Sequence, residues 1–207
     1  MTVVEIKRDK NHRVKVICSG GTVFYLDLDY LKQVPLHEND VITAEQIKEH
    51  IEESEYIRAK SRAMWFLDRA DHSEKALYDK LIRGGIAPAA CAKAVARLKE
   101  LGLLDDERYA ARAAERMRDI NISRREAYAK MIQKGIPRDI VNEALDNTEF
   151  DESAQIRALI DKKYRLKIET EGGTQKVYAA LIRKGFSYGA VRDVLKAYSE
   201  ELKYSDV

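Results

Sequence analysis

The sequence predicts a mainly α-helical chain of three tandem three-helix, helix-turn-helix-like repeats forming an elongated array, preceded by a small antiparallel β meander and an acidic helix. Three observations carry this expectation. Gly85, Gly135 and Gly185 lie fifty residues apart and end segments in one register: Tyr78-x-x-Leu81-Ile82-x-x-Gly85-Ile86, Tyr128-x-x-Met131-Ile132-x-x-Gly135-Ile136 and Tyr178-x-x-Leu181-Ile182-x-x-Gly185-Phe186. Self-similarity at a fixed period is the signature of stacked structural units. Three prolines and 35% charged residues in 207 suit helices with solvated outer faces. The first 30 residues differ from the rest, being β-branched or aromatic in rough alternation.

The elements follow in order. Val3 to Ile6, Arg13 to Cys18 and Thr22 to Leu28 read as three strands, with turns at Asp9-Lys10-Asn11 and Ser19-Gly20-Gly21, where asparagine and glycine tolerate positive φ. Thr43 followed by Gln46 is a helix start in which side chain and backbone can cap each other, so an acidic helix is expected from about residue 44 to the mid-fifties. Each repeat then has a first helix near 55–69, 105–119 and 152–165. In the second helices, Leu77/Leu81, Ala127/Met131 and Val177/Leu181 sit at i and i+4 on an apolar stripe that ends at the shared glycine, a residue suited to the left-handed position closing a helix. Ser73 and Ser123 stand where a hydroxyl would cap these helices, whereas the third repeat has Gly173. The third helices repeat the pattern with Cys91, Val141 and Val191 at one position. The units expected are 1–53 for the meander and acidic helix, then repeats at 54–101, 102–149 and 150–207.

Composition and spacing exclude several classes of function. No window reaches the roughly 20 apolar residues of a membrane span. The start lacks an apolar signal segment, so a cytosolic protein is expected. Cys18 and Cys91 have no metal-ligand or redox spacing, and Cys91 reads as a small core residue. His12, His37, His50 and His72 are scattered, with no companion carboxylate or cysteine pattern, and read as solvated. No phosphate loop, placed nucleophile or carboxylate pair supports catalysis, and neither a metal nor a cofactor is expected. The second and third helices resemble a helix-turn-helix, but residues 88–96 offer little beyond Lys93 to bond a base edge. Tyr78, Tyr128 and Tyr178 share the leucine stripe and read as core rings; Tyr109, Tyr164 and Tyr188 stay open.

Net charge is only +2, yet it is unevenly divided: residues 38–55 carry −6 and residues 108–138 carry +6. A basic segment of that size suits an acidic partner such as a phosphate backbone, and equally a plain solvated surface.

Three stretches, His72-Ser73-Glu74-Lys75-Ala76-Leu77 through Gly85-Ile86, Leu101-Gly102-Leu103-Leu104-Asp105-Asp106-Glu107-Arg108-Tyr109-Ala110, and Lys134-Gly135-Ile136-Pro137, resemble the RecX family of recombinase regulators. The likeness covers essentially the whole chain, including Ala59 to Ala63 and the β meander; Gly84 and Ala76 are its modest departures. The resemblance implies a non-enzymatic protein that binds the RecA recombinase filament on DNA and mostly inhibits it; a monomer is expected. It also implies contact with single-stranded DNA, without sequence preference, with double-stranded DNA left open. The candidate contact residues are Arg108, Arg112, Arg124, Arg125, Lys130 and Lys134, with Arg183 and Lys184 at matching places in the third repeat. A helix-turn-helix transcription regulator and an α-helical scaffold remain as alternatives.

Overall fold

The structure is a computed structural model that describes residues 1–205, with side-chain placement through residue 201; the last two residues of the unit expected at 150–207 lie outside it. The chain is mainly helical with one small sheet, and it folds as two units, Met1–Asp105 and Asp106–Val207.

In the first unit, β1 (Val3–Arg8), β2 (Arg13–Cys18) and β3 (Val23–Asp27) form an antiparallel sheet in the order β1-β2-β3. Asn11, His12, Gly20 and Gly21 all take the positive φ that the two tight turns require. Alternation places Val16, Cys18, Phe24 and Leu26 on one face, where they form a core with Tyr30, Ile42 and Ile47. The chain does not stay extended to Leu28. Helix α1 (Leu28–Gln33) starts there because the Asp27 side chain accepts the Asp29 backbone N–H at 2.9 Å, a local capping bond that overrides the strand-like alternation.

Helix α2 (Ala44–Leu67) opens with the expected reciprocal cap between Thr43 and Gln46. It continues without a break where the sequence suggested two helices. Residues 50–60 contain neither glycine nor proline to stop it, and both halves bury residues: Ile47 against the sheet, Ala59 and Ala63 against the helices that follow. The buried Ser54 hydroxyl accepts the Asp27 N–H at 2.6 Å and fastens sheet to helix.

Helices α3 (Glu74–Arg83) and α4 (Pro88–Glu100) complete a bundle with the second half of α2. Ser73 caps α3 by accepting the Ala76 N–H at 3.2 Å, Gly85 takes φ +73°, and Pro88 opens α4, where its missing N–H costs nothing. Leu77, Leu81, Cys91, Ala94 and Leu98 are fully buried together. Cys91 is thus the core residue expected, and burial raises its thiol pKa, which keeps it an unreactive thiol.

The second unit repeats this plan twice. Helices α5 (Asp106–Asp119), α6 (Arg124–Gln133) and α7 (Arg138–Asp146) enclose Ala110, Ala114, Met131, Val141 and Leu145. The next first helix comprises α8 (Glu152–Leu159), a π-helical turn at Ile160–Tyr164 and α9 (Arg165–Ile168), so it reaches beyond the expected 165. With α10 (Gly173–Arg183) and α11 (Tyr188–Ser205) it surrounds Ile156, Ile160, Val177, Leu181 and Val191. Tyr78, Tyr128 and Tyr178 are half-buried against their cores, as the stripe requires; Tyr109 and Tyr164 join them, while Tyr188 is 69% exposed. The third repeat shifts the expected cap by one residue: Gly172, at φ +66°, caps α10 without a side-chain bond. Gly173, the first residue of the helix, has a packing reason to be glycine, since a Cβ there would lie 1.7 Å from the Lys167 carbonyl oxygen.

Two contacts bind the bundles of the second unit. The Gln155 amide donates to the carbonyls of Arg118 and Ile122 at 3.1 and 3.2 Å, and the Ser123 hydroxyl, besides capping α6, donates to the Lys184 carbonyl at 2.6 Å. A Cβ on Gly185 would meet Ser123 Oγ at 2.8 Å and Arg125 Cβ at 3.1 Å, whereas one on Gly85 would meet nothing within 4 Å. Gly85→Ala and Gly185→Ala therefore share the left-handed strain, about 1–2 kcal/mol, but only Gly185→Ala adds an overpacking cost of about 1 kcal/mol or more. Urea titration of the two variants is expected to rank Gly185→Ala clearly below Gly85→Ala; equal losses would show that the Ser123 contact does not matter. Among the described residues, no helix is long and apolar enough to cross a membrane.

Candidate nucleic-acid interface

The basic segment 108–138 becomes α5, α6 and the start of α7. Arg108 and Arg112 lie one turn apart on the exposed face of α5, and Arg116 continues the row. Arg124 and Arg125 form the first turn of α6, Lys130 its last turn, and Lys134 follows at its end. Two cations at a helix N-terminus oppose the helix dipole, an unfavourable placement of about 0.3–1 kcal/mol each at the surface, so they are not there for the helix.

The eight residues differ in what already holds them. Arg124 is engaged twice, by the Asp146 carboxylate and by the Leu145 carbonyl at 2.9 Å, and it ties the start of α6 to the end of α7. Lys130 pairs with Glu126 at 2.8 Å, one turn back. Arg108, Arg112 and Lys134 also have partners within the protein. Arg125 and Arg183 are exposed and carry no ion pair among the described residues, and the Lys184 side chain has none either.

Packing of the third bundle on the second brings part of this set together. The stem of Arg125 lies against Gly185, and the Lys184 carbonyl is held by Ser123, the residue before Arg124. The start of α6 and the end of α10 therefore meet at one junction, with Arg125 and Lys184 at it although 59 residues separate them. Arg108, Arg112, Lys130 and Lys134 belong to other parts of α5 and α6.

One basic stretch escaped the sequence reading. Lys162, Lys163, Arg165 and Lys167 follow one another through the π-helical turn and α9, all exposed, beside Leu166, which is 81% exposed. Charge counting over the third repeat's first helix would have found it. Asp161 in this stretch is occupied by the Tyr198 hydroxyl at 3.0 Å, and burial together with that carboxylate raises the Tyr198 pKa.

Two of the histidines are less solvated than expected, while His12 and His37 are exposed as read. His50 hydrogen-bonds the Tyr30 hydroxyl, and His72 packs edge-on to Phe66 and contacts Lys80. The fold also supplies His12 with the companion carboxylates that its sequence neighbourhood lacks, Asp27 and Asp29. These groups are spoken for: Asp27 caps α1, while Asp29 binds Lys32 at 2.8 Å and His12 at 3.2 Å, which lowers its pKa.

Comparison with known proteins gives a consistent result. Models of the RecX first and third three-helix domains match residues 59–98 and 151–195. The chain is 28% identical over 202 residues to the regulatory protein RecX of Clostridium perfringens (strain SM101 / Type A), covering 95% of this chain and 94% of the relative. It is 29% identical over 192 residues to the regulatory protein RecX of Caldanaerobacter subterraneus subsp. tengcongensis, covering 92% and 95%. A crystal structure of regulatory protein RecX shares the fold, with a TM-score of 0.65 at 22% identity, covering 93% of this chain and 98% of that one.

Proposed function

As this chain belongs to the RecX family, we propose that it is a non-catalytic regulator that binds a RecA-type recombinase filament on DNA and restrains its strand exchange, ATPase and coprotease activities. The observation that carries this reading is the match to RecX relatives along nearly the full length of the chain, sheet and repeats together. The relatives are named as regulatory proteins, which supports a role in binding and not in catalysis. We place the DNA or filament contacts on Arg125, Arg183 and Lys184, with Arg124, Arg108, Arg112, Lys130 and Lys134 as flanking charges. Support comes from the absence, among the described residues, of ion pairs on the first three and from the unfavourable position of Arg125 at a helix start. We also propose that the repeats act as separate modules along such a polymer, with a monomer as the binding species.

A base-reading role has less support. Lys93, the one donor that residues 88–96 offer, is bound to Glu53 at 3.1 Å and lies over the Tyr56 ring. The deciding experiment is the ATPase rate of the cognate recombinase on single-stranded DNA with and without this protein. A lower rate at stoichiometric amounts or below is expected; an unchanged rate removes the proposal.

A further inference from the structure

Trp65, the sole tryptophan, sits on α2 in the first unit and is 40% exposed. Two guanidiniums lie over its ring, Arg69 at 3.7 Å and Arg62 at 4.3 Å from the centroid, and Arg62 is also 5.0 Å from the Phe66 ring. Arg62 sits one turn before the tryptophan on α2, whereas Arg69 lies four residues after it, in the turn beyond the end of that helix at Leu67. Stacking occupies the flat face of a guanidinium and leaves its in-plane N–H groups available. Arg69 spends one of them on the Trp65 carbonyl at 2.9 Å, and neither arginine has an ion pair among the described residues.

The surroundings do not neutralise these charges. Glu55 is taken by Arg13 and Arg58, both at 3.3 Å, Glu53 by Lys93, and Asp29 by Lys32 and His12. Asp68 and the helix-capping Asp27 are the opposing charges that remain, one in each cleft that the ring borders. The indole also borders two surface clefts, one against Tyr56, Lys60 and Met64, the other against Arg58, Arg62 and Ile86. Charged donors held flat against an exposed ring, with apolar cleft walls beside them, meet both halves of a nucleotide. The N–H groups suit phosphate oxygens, and the planar and apolar surfaces suit unpaired bases. An acidic peptide would use the donors but leave the ring and the Tyr56–Met64 cleft unused.

We propose that Trp65, with Arg62 and Arg69, is a single-stranded nucleic-acid contact of the first unit, additional to the basic residues of the second. This deepens the function proposed above and rests on it.

Because Trp65 is the only tryptophan, its emission in the full chain reports on this site alone. Titration with oligo(dT) is expected to quench it in step with the rise in anisotropy of a labelled copy of the same oligonucleotide, while polyglutamate leaves it unchanged. Trp65→Ala should weaken binding by about tenfold, the order of one lost base–aromatic stack, and Trp65→Phe should restore most of it; circular dichroism checks that both variants keep their helices. A rise in anisotropy with no change in Trp65 emission, together with wild-type affinity for Trp65→Ala, overturns this inference and leaves the proposed function standing. No rise in anisotropy at all overturns DNA contact in both. Quenching by polyglutamate equal to that by oligo(dT) also overturns the inference, since it would assign the site to an acidic protein partner.

Discussion

Replacing Arg125 and Arg183 together by glutamate is expected to weaken binding to single-stranded DNA by on the order of tenfold or more at low salt, and to flatten its salt dependence. Each phosphate contact on a single strand releases condensed counterions and adds roughly 0.7 to the slope of log affinity against log salt. Losing two contacts should therefore lower that slope by about 1.4. The pair is chosen because neither residue has an ion pair among the described residues, so stability should change by no more than about 0.5 kcal/mol, as for ordinary surface sites. Arg124 is a poorer test, since reversing its charge also breaks its bonds to Asp146 and Leu145. Affinity measured by anisotropy between low and physiological salt decides the matter. An unchanged slope with a well-folded double variant would mean that this junction does not touch the backbone.

Leu181→Ala should produce the largest stability loss, about 2–5 kcal/mol. Leu181 is fully buried in the third bundle's core, where it packs among Ile156, Ile160, Val177 and Val191. Removing its branched end forfeits the transfer free energy of the lost carbons and leaves a cavity that helices on three sides cannot close. The contrasting variant is Leu166→Ala. Leu166 is 81% exposed, and its loss should cost within about 0.5 kcal/mol. Urea unfolding monitored by circular dichroism measures both. A loss below about 1 kcal/mol for Leu181→Ala would show that the bundle repacks and that the repeated stripe does not define a specific core.

Much of this architecture was legible in the chain because the forces that set it act over a few residues. The Thr43–Gln46 cap, the Ser73 and Ser123 caps and the left-handed Gly85, Gly135 and Gly185 each involve groups within about one helical turn. Strand alternation and the i, i+4 stripes are local in the same sense, so sheet, repeats and core positions could be read directly. The errors have local causes as well. Asp27 turns the chain into α1 with one side-chain bond, and the absence of any helix breaker fuses the acidic helix with the first helix of the first repeat.

The candidate site was only half legible. Charge counting located the basic segment 108–138, and repeat equivalence added Arg183 and Lys184. Neither could separate Arg124 and Lys130, which are spent on Asp146 and Glu126, from Arg125 and Arg183, which are not. Nor could they foresee that Ser123 reaches the Lys184 carbonyl, that His12 meets Asp29, or that two arginines close over Trp65. The sequence by itself determined the helical repeats, the β meander and the family, since periodicity and capping are written into neighbouring residues. Tertiary structure decided which of the distant charges are neutralised, because a pair such as Arg124 with Asp146 depends on a distance that closes only when the helices pack, whereas the Glu126–Lys130 pair, one turn apart, is local.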